Sequence, residues 1–181
     1  YLTDKSDIVA LLVFEHQAHV QGFITRANFK SRTLLAQKGV DPTRASWSSL
    51  PVEVQKPLKA MLEPMLRAMF FSNAAGLADE VTSTSGFDEW FEAQGPRDAK
   101  GRSLREFDLA RRVFKYPLSY LVYSDAFAGL PGCAKEYVYT RMAEVLSGRD
   151  QSAAFKHLSG VERQQVMEIL AGTQTEFAKV V

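Results

Sequence analysis

Apolar residues recur at helical spacing through most of the chain, and no stretch reads convincingly as a strand or a hairpin. The most apolar stretch comes first: Ile8 to Phe14 is unbroken, and Val20, Phe23, Ile24 and Ala27 continue it. A segment apolar on every side predicts a helix buried in a bundle rather than lying on its surface. Thr3 or Ser6 would cap this helix. It should run to about Ala36 and stop before Gly39, with Gly22 as a point of bending. Asp41-Pro42 marks the loop that follows, and Pro51 suits the first turn of a second helix. That helix carries Val54, Leu58, Met61, Leu62, Met65, Leu66, Met69 and Phe70 as one stripe, with Pro64 expected to kink it. Met61, Met65 and Met69 stand four apart, the spacing of soft metal ligands as well as of ordinary core filling.

From Ser72 to Gly101 the pattern weakens, which predicts a long loop between the second and third main helices, with a short helix near Asp88 to Ala93. Ser103-Leu104-Arg105-Glu106 reads as a capping box opening a third helix that Pro117 breaks. Tyr116, Tyr120, Tyr123 and Phe127 then form an aromatic stripe, read either as a core seam or as a pocket wall. A fourth helix is expected from about Pro131 to Ser147. A fifth follows a second capping box at Ser159-Gly160-Val161-Glu162 and closes at Gly172, with the tail after Thr173 expected to fray. The pattern as a whole predicts an all-α, single-domain bundle of about five main helices.

Composition refines this picture little. The chain has 181 residues, 46% hydrophobic and 24% charged, with a net charge of +1. Such a balance gives no global field for nucleic acid or an anionic membrane, and no apolar run is long enough to span a bilayer. Cys133 is the single cysteine, so an intramolecular disulfide, a thiolate zinc site and covalent c-type haem attachment are all excluded within the chain. The first residue is Tyr1 rather than Met, which reads as a processed chain or an excised domain.

The candidate chemistry sits in the first helix. Glu15, His16 and His19 interrupt its apolar run, with Arg26 two turns on. A buried glutamate is costly unless it is paired or bound to a metal. One solution is a buried Glu15–His19–Arg26 polar network. The other is a transition-metal or haem site with Glu15, His16 and His19 as ligands, since bundle cores build such sites from carboxylate and imidazole at helical spacing. His157 is a further histidine that could complete a site with His16 and His19. The charge further along is uneven: Gly76 to Glu92 holds five acids and no base, whereas Arg97 to Lys115 holds seven bases, Arg102 and Arg105 among them. These blocks either pair with each other or are simply solvated, or else form an anion- or partner-docking patch. Arg26, Arg102, Arg105, Tyr120 and Tyr123 are the candidate binding residues. In a haem version the basic segment would meet the propionates.

Three stretches carry a resemblance: Ser6-Asp7-Ile8-Val9-Ala10-Leu11 running into Glu15-His16-Gln17; Gly101-Arg102-Ser103-Leu104 leading to Phe114-Lys115-Tyr116-Pro117-Leu118-Ser119-Tyr120; and Val145-Leu146-Ser147-Gly148-Arg149-Asp150. Through them the chain resembles the C-terminal helical region of a family of uncharacterised exported bacterial proteins, some associated with cytochrome c-like sequences. The resemblance implies a periplasmic setting, a larger parent protein and a redox-linked context. Two functions are expected from all this: a non-enzymatic helical module that docks a partner or partner domain, or a metal- or haem-binding bundle.

Overall fold

In the computed structural model, which describes residues 7–181, the fold is an all-α helical bundle. The two residues expected to cap the first helix, Thr3 and Ser6, lie outside the described residues. Helix α1 spans Ile8–Gln37 as one continuous element, and Asp7 is its cap. One carboxylate oxygen of Asp7 accepts from the amides of Val9 and Ala10, two of the donors that a helix start leaves unpaired. The other accepts from both hydroxyls of Ser83 and Ser85 and from the amides of Thr84 and Ser85. One side chain thus starts the longest helix and ties a distant loop to it.

Helix α2 covers Val52–Met69 and packs along α1. Its stripe of Leu58, Leu62, Met65, Leu66 and Met69 is fully buried, so Met65 and Met69 are core-filling residues. Short α3 (Phe87–Glu92) and α4 (Asp125–Ala128) flank a single 3-10 turn at Tyr120–Tyr123. Helices α5 (Gly132–Leu146) and α6 (Gly160–Thr173) lie against each other, and α6 opens with the expected capping box between Ser159 and Glu162. The tail does not fray. It forms α7 (Thr175–Ala178), held by fully buried Phe177. Most buried apolar residues form one core; Leu35, Leu50, Val54, Leu58 and Cys133 form a small second cluster. Burial pushes the Cys133 thiol pKa up, as suits an inert core residue.

The expected third helix is absent, so four helices among the described residues are long rather than five. Ser103 and Glu106 do bond reciprocally, but they close a turn. The chain then reverses between Phe107 and Phe114, which meet as an antiparallel bridge. Leu109, at φ +55°, makes the reversal tight, and the amides of Asp108 and Leu109 donate to the carbonyls of Val113 and Arg112. Phe107 and Phe114 stand seven apart, which is two helical turns; in the reversed chain the same two rings lie face to face, their centroids 5.6 Å apart.

A candidate docking face on the first helix

Helix α1 has two apolar faces, and the bundle uses one. Val9, Val13, His16, Val20, Ile24 and Ala27 point into the core, followed by Ser31 and Leu35. The opposite face carries Leu11, Phe14, Ala18, Gly22, Thr25 and Phe29, all exposed. Leu11 is 52% exposed, Phe14 70% and Phe29 73%. Large aromatic side chains this open, in line on one rigid helix, are what interaction surfaces present. The expectation that an all-apolar helix is buried all round is therefore corrected: its two faces carry similar hydrophobicity and only one has a partner among the described residues. Trp90 on α3, 60% exposed, is another large aromatic at the surface.

Glu15, His19 and Arg26 share a face, as their spacing requires, but that face looks outward. The expected buried network is not formed. Glu15 has no ion-pair partner among the described residues, His19 meets the edge of Phe23, and the Arg26 guanidinium lies over the same Phe23 ring at 5.9 Å. His16, a quarter-turn from Glu15, alone turns inward and is 8% exposed. No three His, Cys, Asp or Glu side chains among the described residues converge as metal ligands would.

His16 is held as a structural group. Its ring stacks on Phe71 at 4.7 Å and leans on Phe114 at 5.1 Å. Its Nε2 shares a hydrogen bond of 2.9 Å with the Ser119 hydroxyl, whose oxygen also accepts from the Leu121 amide. Burial, with a smaller push from His19, lowers its pKa to about 4, so the imidazole is neutral at neutral pH. The pair has the atoms of a nucleophile and base, but Ser119 is fully buried and has no opening to a substrate. The Ser119 amide also donates to the Met69 carbonyl, so this one residue joins α1, the end of α2 and the long loop. His157 does not join His16 and His19; its Nε2 donates to the Phe70 carbonyl.

The other candidate binding residues are engaged internally. Arg102 pairs with Asp98 and with Glu168 on α6. Tyr123 shares a 2.6 Å hydrogen bond with Thr173, and burial pushes its pKa up to about 12. Tyr120 is buried and donates to Gln17, while Arg105 lies between the faces of Phe91 and Tyr120, 4.5 Å from each. Burial lowers the Arg105 pKa, and the two ring faces support its charge in place of a carboxylate. The basic segment is mostly paired, but with acids in its own hairpin and on α6: Lys115 with Glu106, Arg111 with Asp108, Arg112 with Glu162 and Lys100 with Glu168. The acids Asp79, Glu80, Asp88 and Glu89 take no part in these pairs.

Sequence reasoning missed two polar centres. Arg141 on α5 gathers Glu63, Glu144 and Asp150, and Tyr137 donates to the same Glu63. Burial disfavours the Arg141 charge, but the three carboxylates outweigh it and raise its pKa. Arg163 on α6 is buried without any carboxylate; it donates to the carbonyls of Val145, Asp150, Phe155 and Leu158. Neither has a periodic signature, because each is assembled from separate elements.

No protein-family model matches the chain, and neither the curated proteins nor the solved structures contain a match. No described helix is long and apolar enough to cross a membrane.

Proposed function

We propose that this chain is a non-enzymatic helical module that docks a partner protein or adjacent domain through the outward face of α1. The observation that carries this reading is the exposure of Phe14 and Phe29, with Leu11, in line on a helix whose other face is fully packed. The cost of leaving such a surface in water is recovered when a partner covers it. The family resemblance adds the setting: a periplasmic, redox-linked parent protein. The metal- or haem-binding alternative has less support, since His16 is the one buried member of its ligand trio and its Nε2 is engaged by Ser119.

The reading is tested by placing a photo-reactive benzoylphenylalanine at position 14 or 29 in the native cell. Irradiation should yield one discrete adduct shared by both positions and absent from an exposed control position, Lys156. No adduct at either position would defeat the docking reading.

A further inference from the structure

The outward face of α1 is complementary to itself in one orientation. Reversing the helix about the midpoint between Gln21 and Gly22 sets Phe14 opposite Phe29 of a second copy, and Ala18 opposite Thr25. The large residues thus meet at the two ends, and the small ones meet where the helices would cross.

The charges select the same orientation. Glu15 lies in the first half of α1, and Arg26 and Lys30 lie in the second, on the same outward edge. None of the three has an ion-pair partner among the described residues. In an antiparallel pair, like edges face each other, so Glu15 approaches Arg26 and Lys30 of the second copy at both ends. A parallel pair would set the two basic halves side by side.

Gly22 supplies an independent observation. It sits mid-way in a thirty-residue helix, where glycine is less favourable than alanine. A Cβ added there would meet nothing within 4 Å in its own chain. The fold therefore gives no reason for glycine at this position, whereas close approach of a second backbone does.

We propose that the outward face of α1 docks a second copy of this chain, α1 against α1, antiparallel and crossing near Gly22. This rests on the docking reading and names its partner. Thirty residues extend about 45 Å, and a helix face roughly 10 Å wide then buries on the order of 1,000 Å² over both copies. That area is at the low end for a specific interface, so the dimer forms and dissociates reversibly.

Sedimentation equilibrium of the full chain, from low to high micromolar concentration, should show a monomer–dimer equilibrium. Gly22→Leu should weaken it at least tenfold without lowering the unfolding midpoint of the dilute monomer. Glu15→Lys should weaken it too, and adding Arg26→Glu and Lys30→Glu to Glu15→Lys should restore it. Orientation is read by mixing Phe14→Cys and Phe29→Cys chains and oxidising them; Cys133 is fully buried and does not compete. Cross-links between position 14 and position 29 should dominate. A chain that stays monomeric throughout, a dimer indifferent to Gly22→Leu and Glu15→Lys, or preferred 14-to-14 links would overturn the proposal. The photo-adducts separate the two levels: an adduct of twice the chain mass supports the second copy. An adduct of another mass overturns it while leaving docking in place, and no adduct removes both.

Discussion

Acidification should destabilise this fold through His16 before its paired Asp98 and Asp150 carboxylates are affected. The perturbation is a shift from pH 7.5 to pH 5. In the folded chain the His16 pKa lies at about 4, against an ordinary value of 6.5. The folded state rejects a proton that the unfolded chain accepts. Between the two values the unfolded state binds more protons, so stability falls as pH falls through this window and is fully present above it. At pH 5 the unfolded imidazole is almost fully charged and the folded one only about a tenth. At 1.36 kcal/mol per pH unit, the loss reaches about 2 kcal/mol there and about 3 kcal/mol below pH 4. His16 is buried, so solvent screening removes little of this. The paired carboxylates, such as Asp98 and Asp150, are held below their usual range by hydrogen bonds and arginines that outweigh burial, so their share is lost at lower pH. The assay is urea unfolding at both pH values for the wild type and for His16→Gln, which keeps a polar partner for Ser119 without titrating. The wild type should lose about 2 kcal/mol more than the variant. Equal losses, or a His16 C2–H resonance titrating near pH 6.5 in the folded chain, would refute the reasoning.

Asp7→Ala should cost about 2 kcal/mol in denaturant unfolding, because it removes a helix cap and the acceptor for the 83–85 loop together; limited proteolysis should then cut first in that loop. Arg163→Met should cost about 2–4 kcal/mol, since it leaves buried carbonyls of Val145 and Phe155 without their donor; urea midpoints measure it. Phe177→Ala should cost about 3–4 kcal/mol by the same assay, because the C-terminal turn belongs to the core. Phe14→Ser in dilute solution should stay within about 0.5 kcal/mol of the wild type, since the ring has no intrachain role.

The elements most legible in the sequence are those with one apolar stripe and clear ends. Helices α2, α5 and α6 fall close to their expected bounds because Pro51, Pro131, Gly148 and the Ser159–Glu162 box punctuate them. The position of α1 was equally legible, but not its exposure. Periodicity reports which residues share a face, not whether a neighbour covers it, so the pattern that sets Glu15, His19 and Arg26 inside fits their outward placement equally well. The Phe107–Phe114 hairpin was hidden because the spacing of its two rings also fits a helix, and what reverses the chain is a left-handed Leu109 that no glycine announces. Arg141 and Arg163 are invisible for another reason: Arg141 joins Glu63 of α2 to Glu144 and Asp150, and Arg163 caps carbonyls of α5 and of the connector after it, and neither set follows one repeating spacing.

If α1 docks as proposed, its outward face is covered in the working protein. Hydroxyl-radical footprinting, read residue by residue, can compare the dilute purified chain with the same protein in its native cell. Leu11, Phe14 and Phe29 should oxidise readily in the dilute chain and be protected several-fold in the cell, while Val161, exposed on α6, labels equally in both. Equal oxidation of Phe14 and Phe29 in both samples would contradict that docking.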